Sequence, residues 1–266
     1  MRGVVHGGLA GPDDLGQGAG ASLGVGLGAR RASPGPEPAG GDAGPAPARH
    51  PTDAPVEAVR AILEYASVRA ATAAEEWDGT SNGCARLRRS EQVLLLVRLA
   101  ADSGARRGEL AALQFTDLDG DVLTIARGTS NELVGPTKTS STRRLTLGAT
   151  TAALWRDIAR RWQRRLAGQP LGPWLFSPDD HHATRLTTSA LGHWFAALAA
   201  EAGYPEVTLH RLRHTVATTL VGCGDILGAQ HRLGHRDAST TLRIYAHALP
   251  LTDADAADTL GRLYRP

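Results

Sequence analysis

Cysteine is almost missing from this 266-residue chain, with Cys84 and Cys223 the only two. Two thiols cannot build a disulfide framework, so the fold must rest on an apolar core, and a reducing cytoplasm is the expected setting. Also missing is any run of about 18 consecutive apolar residues, the length a membrane-spanning helix requires. Glycines interrupt the first residues throughout, which excludes the compact apolar stretch of a secretory signal. Lysine is scarcer still: Lys138 is the single one. Arginine therefore supplies nearly all the positive charge behind a formal net charge of +2. Its planar fork stays charged at any ordinary pH and pairs bidentately with phosphate oxygens.

What is present falls into two parts. Residues 1–51 are dominated by Gly, Ala and Pro, with no isoleucine, tryptophan, tyrosine or phenylalanine. Such a composition buries too little surface to offset the entropy of ordering, so the segment is expected to be disordered. The folded domain is expected to span 52–266. It should open with a helix capped by Thr52 or Asp53, with Val56, Val59, Ile62 and Leu63 on its inner face. Gly79–Gly83 reads as a loop, and "SEQVLLLVRLAADSG" as a buried helix stopping at Gly104. Alternation predicts one small antiparallel sheet over Asp121–Leu147, with Lys138 at or beside a hairpin turn. The stretch Thr151–Leu166 repeats Leu154, Ile158, Trp162 and Leu166 every fourth residue, leaving Arg156, Arg160 and Arg164 on a solvated face. Another helix over Thr187–Ala202 would be capped by Ser189. The fold class is mainly α with a small antiparallel β-sheet, an α+β domain.

Chemistry concentrates in "HRLRHTVATTLVGCGDILGAQHRLGHRDASTTLRIYAH", from His210 to His247, which holds five of the ten histidines. Thr208 caps a helix on which His210 and Arg213, three apart, leave the same face and can meet one phosphate. "LGH" presents His235 in a turn, and a last short helix capped by Ser239 carries Tyr245. Upstream, "SGARRGEL" places Arg106 in a turn between two helices. Two arginines on one phosphodiester would neutralise its non-bridging oxygens and the charge that gathers there during displacement. A phenol attacks well where nearby cations favour its ionised form, and a lysine can protonate a departing sugar oxygen. No metal and no small-molecule cofactor is needed. His210 and His214 also stand four apart, the ligand spacing of many zinc enzymes, but position 211 is arginine where such a site would place its glutamate. His181, His182, His193, His231 and His247 fall outside any motif and read as ordinary polar residues, and His214 as structural.

In order and spacing, Arg106 in "SGARRGEL", Lys138 in "PTKTSSTRRLTL", His210 and Arg213 in "HRLRH", His235 in "LGH" and Tyr245 in "TTLRIYAH" resemble the catalytic domain of the tyrosine recombinases, the phage integrase family. The resemblance implies a site-specific recombinase acting on double-stranded DNA as a homo-oligomer, a tetramer on DNA, with no membrane partner. Tyr245 would form a 3′-phosphotyrosyl bond and free a 5′-hydroxyl, storing the bond energy so that strands exchange without ATP. Arg106 and Arg213 would clamp the scissile phosphate, Lys138 would be the general acid, and His210 and His235 would hydrogen-bond the phosphate and assist proton transfer. Glu109 would brace the arginine turn. Members of the family usually place a helical core-binding domain before the catalytic one, where this chain has its Gly/Pro-rich segment. The expectation is therefore weak and strongly salt-sensitive DNA binding, contradicted by nanomolar binding in fluorescence anisotropy. The resemblance also implies a tail whose Leu260, Leu263 and Tyr264 pack on a neighbouring protomer. Alternatives are a DNA-binding remnant without activity and relaxation of the type IB topoisomerase kind.

Overall fold

Pro55, with φ at −56°, leads into the first helix, α1 (Val56–Glu75). In this computed structural model, residues 53–130, 132–137, 142–249 and 253–263 are described. The expected disordered segment 1–51 lies outside them, as do the proposed cap Thr52, the site candidate Lys138, and Tyr264 of the tail. The inner face of α1 is Ala58, Ile62, Ala66, Ala70 and Ala73. Of the face expected, Ile62 is buried and Val59 and Leu63 pack against the core, whereas Val56 is 48% exposed. Helix separation is set by the side chains at the contact, and an alanine face lets α1 lie close against α2 (Ser81–Ser103), its main neighbour.

Helix α2 begins inside the stretch read as a loop, because the Thr80 hydroxyl accepts from the Gly83 N–H at 3.1 Å and caps it. Every residue from Ser90 to Val97 is buried. The helix stops where expected, at Gly104, whose φ of +60° is the left-handed conformation that closes a helix. A side chain at this position would also press on Val216, 3.2 Å from an added Cβ.

A short helix, α3 (Arg107–Ala111), precedes the strands. The expected single sheet is two. Strands β1 (Leu118–Asp119), β2 (Val122–Ile125) and β5 (Arg143–Thr146) pair antiparallel in the order β1-β2-β5, and β3 (Arg127–Ser130) with β4 (Leu133–Pro136) forms a separate hairpin. Leu123 stands opposite Leu145, and alternation buries Leu123, Ile125 and Leu145 against the helices. Gly128, Gly135 and Pro136 leave the hairpin little to bury, so it separates from the core sheet.

Helix α4 (Ala149–Arg165) buries Trp155, Ile158 and Trp162. The Trp162 indole, Arg161 and Arg165 converge on the buried Glu91 carboxylate of α2 at 2.6, 2.9 and 2.8 Å. Arg156 and Arg160 are exposed and pair with Asp121 and Asp157. Helix α5 (Thr188–Glu201) is capped by Thr187, which accepts from Ala190, and not by Ser189. Then follow α6 (Leu209–Gly222), α7 (Ile226–Leu233), α8 (Ala238–Tyr245) and α9 (Asp253–Leu263). Thr208 caps α6 as expected. Asp237 takes the place expected of Ser239 in capping α8, since its carboxylate accepts from both the N–H and the hydroxyl of Ser239 and adds negative charge at a helix N-terminus. In α9, Leu260 is 53% exposed. No helix among the described residues is long and apolar enough to cross a membrane.

Two apolar clusters result. The large one joins α1, α2, α4, α5 and the three-stranded sheet to Leu209 and Leu212 of α6. A small one gathers Ala217, Val221, Ala229, Leu233, Tyr245 and Ala248. The region that carries His210, Arg213, His235 and Tyr245 thus bridges both.

His182 is a core residue, not the ordinary polar one expected. It is fully buried, stacks on Trp162 at 4.3 Å, and bonds the Trp174 carbonyl through Nδ1 at 2.8 Å, while its Nε2 has no partner. Burial pushes its pKa down to about 4, so the folded chain holds it neutral. Above pH 6.5 neither folded nor unfolded chain binds the proton; as pH falls from 6.5 towards 4 only the unfolded chain does, and stability is lost. The loss should approach about 3 kcal/mol at full protonation of the unfolded state. Urea titrations followed by tryptophan fluorescence should show His182→Phe gaining on the wild type as pH falls through this window. A stability difference independent of pH would contradict the assignment.

Candidate active site

Arg106 occupies the turn between α2 and α3, as the sequence indicates, and Glu109 fixes it there. One Glu109 oxygen accepts from the Arg106 backbone N–H at 2.8 Å and the other from its guanidinium at 3.1 Å. The same carboxylate receives a two-pronged bond from Arg143 at 3.1 and 2.7 Å. Glu109 is 3% and Arg143 4% exposed. Burial alone would raise the Glu109 pKa, but the Arg143 hydrogen bonds and charge, followed by Arg106, hold it below the usual value. Arg143 also donates through Nε to the Arg232 carbonyl at 2.9 Å. It therefore ties β5 to α3 and to the end of α7. Gly234, with φ +64°, is the residue that admits it, since an added Cβ would stand 2.9 Å from the Arg143 guanidinium.

Arg213 is buried and donates to the Gly104 carbonyl at 2.5 Å, to the Leu233 carbonyl at 2.7 Å, and to His235 Nε2 at 3.3 Å. Three of the roughly five N–H groups of a guanidinium are thereby used, and the others remain for a ligand. Burial, then the charge of Arg106, bring its pKa down to about 9, which leaves it cationic at neutral pH. A guanidinium only donates, so His235 Nε2 must accept, and its Nδ1–H then points at Thr241 Oγ1, 2.9 Å away. Burial and the Arg213 and Arg106 charges push His235 down to about 4, consistent with a neutral ring. Both of its nitrogens are engaged within the chain, so here His235 orients Arg213.

The phenol of Tyr245, 4% exposed, is held from α6: its oxygen lies 2.9 Å from His214 Nδ1. The other nitrogen of His214 faces Nε2 of His210, again at 2.9 Å. His214, set aside as structural in the sequence, is the residue that joins Tyr245 to the rest of the group. Its signal was its place four residues, one helical turn, after His210, a spacing that points to metal ligands as readily as to a relay. Among the described residues no cluster of three or more His, Cys, Asp or Glu side chains is placed to hold a metal ion. Burial raises the Tyr245 pKa, the Arg213 charge works against that rise, and Asp53 adds to it.

Arg106, His210 and Arg213 line one cleft of about 690 Å³, which continues along Arg107, Thr188, Ser189 and His193. Tyr245 is not among its lining residues; it sits behind His214. Arg143→Met should therefore act on stability before chemistry, because it strands the Glu109 carboxylate in the interior. We expect a loss of about 3–5 kcal/mol in urea denaturation. A loss under about 1 kcal/mol would mean that the pair is not the brace described.

Residues 82–251 match the family model described as "Phage integrase family". A tyrosine recombinase XerD from Listeria monocytogenes is 32% identical over 154 residues, covering 56% of this chain and 48% of that protein. XerD from Caulobacter vibrioides is 35% identical over 157 residues, covering 57% and 48%. The chain thus spans about half the length of these relatives. Among solved structures, XerA recombinase superposes with a TM-score of 0.52 at 22% identity, over 83% of this chain and 68% of that one. The Tn1549 transposon integrase in complex with a circular intermediate DNA gives a TM-score of 0.55 at 18% identity, over 80% and 67%. These likenesses establish the mostly helical fold with its small antiparallel sheets. With the family model covering well over half of its length, this chain belongs to the phage integrase family.

Proposed function

We propose that residues 52–266 form the catalytic domain of a site-specific DNA recombinase that cuts and rejoins double-stranded DNA through a phosphotyrosine at Tyr245. The observation that carries this reading is the cleft: Arg106 and Arg213, 107 positions apart in the chain, line one cavity with His210, and His214 links that cavity to a buried phenol. A phosphodiester in the cleft would meet two guanidinium groups, each suited to its planar oxygens. The phenol oxygen would attack phosphorus in line with the sugar oxygen that leaves. Charge gathering on the equatorial oxygens would be met by groups already fixed in place, Arg106 by Glu109 and Arg213 by two backbone carbonyls. One ester replaces another, so the bond energy is kept and no nucleotide is consumed.

Lys138 as general acid and His210 as phosphate partner complete the proposed set, with His235 orienting Arg213. Lys138 belongs to the segment between β4 and β5, directly before the strand that Arg143 anchors. The XerD relatives are named as tyrosine recombinases and the Tn1549 integrase is seen with DNA, which supports DNA as partner; a homo-oligomer, a tetramer on that DNA, and a cytoplasmic setting are part of the same proposal. Incubation with a nicked suicide duplex, followed by denaturing gels, tests the nucleophile. Wild type should form a covalent adduct and Tyr245→Phe none, with the ring still packed in its small apolar cluster. Arg106→Ala should slow adduct formation by roughly 10²–10³. An adduct that persists in Tyr245→Phe sinks the reading.

A further inference from the structure

We propose that His214 is the base that takes the phenolic proton of Tyr245, handing its own second proton to His210. The proposal rests on the reading of Tyr245 as nucleophile given above. Its geometric basis is a continuous chain of two short contacts: Tyr245 Oη to His214 Nδ1 at 2.9 Å, and His214 Nε2 to His210 Nε2 at 2.9 Å. His210 lines the cleft in which the phosphate would sit.

The alternatives around the phenol are few. Arg213 cannot accept a proton, being a cation at neutral pH. His235 spends Nε2 on Arg213 and Nδ1 on Thr241. His210 touches the phenol only through His214. Burial in the small apolar cluster makes the phenol a poorer acid than one in water. A buried phenol attacks at neutral pH only if a neighbour removes its proton as the new bond forms.

The step balances. The Tyr245 O–H bond breaks and the proton goes to His214 Nδ1, while the His214 Nε2–H breaks and a new N–H forms on His210 Nε2. The phenol oxygen bonds to phosphorus, and the phosphorus–O5′ bond breaks with its electron pair on O5′. That oxygen takes a proton from the cationic acid of the chain, the role proposed for Lys138. His210 finishes as an imidazolium at the cleft, beside the anionic phosphotyrosyl ester. The groups that bias the transfer are Arg213 and His210 on α6, His235 in the turn after α7, Arg106 before α3, and Asp53 ahead of α1.

The test is single-turnover cleavage of the suicide duplex across roughly pH 5.5–9 by full-length wild type, His214→Gln, His214→Ala and Tyr245→Phe. Gln retains a hydrogen-bond acceptor for the phenol but takes no proton. We expect both His214 variants to be slower by roughly 10²–10⁴, with rates that keep rising towards the phenol range where the wild type levels off. Added imidazole should restore part of the rate to His214→Ala. Wild-type rate and pH profile in His214→Gln would overturn the proposal, leaving a contact that only positions the ring. Nitrogen NMR of histidine-labelled wild type gives a readout independent of cleavage and of variant folding: His214 Nδ1 should be unprotonated at neutral pH. A proton found on it overturns the proposal equally. Failure of the underlying reading looks different, because the adduct would then be absent from wild type or present in Tyr245→Phe.

Discussion

Burying a guanidinium is costly unless its N–H groups find partners and its charge is balanced nearby. Arg213 meets the first condition with the carbonyls of Gly104 and Leu233, the first closing α2 and the second ending α7. Both belong to helix ends, where carbonyls lack partners inside the helix. One side chain therefore satisfies two helix termini and ties three segments of the chain together. The second condition is met by Glu109, whose charge Arg213 shares with Arg106 and Arg143. Take away this arrangement and α2, α6 and α7 lose a common anchor together with part of the cationic lining of the cleft. Fold and site rest on the same bonds.

The charge balance also assigns work among the basic groups. Glu109 is one carboxylate facing three arginines, so the site carries a positive excess with no substrate in it, which is what an anionic ester requires. Burial first, and then that excess, keep His235 neutral, and Arg213 fixes its tautomer, because Nε2 must accept from it. A neutral His235 adds no charge to the cleft; it sets the angle of the Arg213 guanidinium that does. Burial of the Tyr245 ring pulls the other way, since it disfavours the phenolate that Arg213 favours. The site thus holds a phenol that is positioned and protonated, which makes the proton's destination as important as the clamp.

Much of this was legible in the sequence, for identifiable reasons. Helix α2 announces itself through a long apolar run and α6 through apolar residues at helical spacing, with Gly104 and Thr208 marking an end of each, and these signals act locally. Arg106, His210, Arg213, His235 and Tyr245 could be picked out because each sits at a characteristic place, a turn or a helix face, that residue spacing reports. The misses share a different cause. Ser189 and Ser239 were outcompeted as caps by Thr187 and Asp237, which depends on backbone angles that spacing does not fix. On α1 the alanines that pack beside Ile62 escape hydrophobic spacing, because only the closeness of α2 buries residues so small. The same holds for the large partners: nothing local in Arg143 reveals a buried bond to Glu109, 34 residues earlier. Likewise His182 is polar by type and buried only because Trp162 and Phe115 enclose it.

Tyr245 stands apart from the clamp in a way that bears on how the site works. Arg106 is fixed by Glu109 and Arg213 by two backbone carbonyls, whereas the tyrosine belongs to the small cluster formed with Ala217, Val221, Ala229, Leu233 and Ala248. Few apolar contacts hold that cluster, and segments with few buried contacts open at lower free energy than the core of the same domain. The phenol is not among the residues lining the cleft and is joined to it through His214 and His210. Under the proposed reading, the His214–His210 pair is what couples the small cluster that seats the phenol to the cleft.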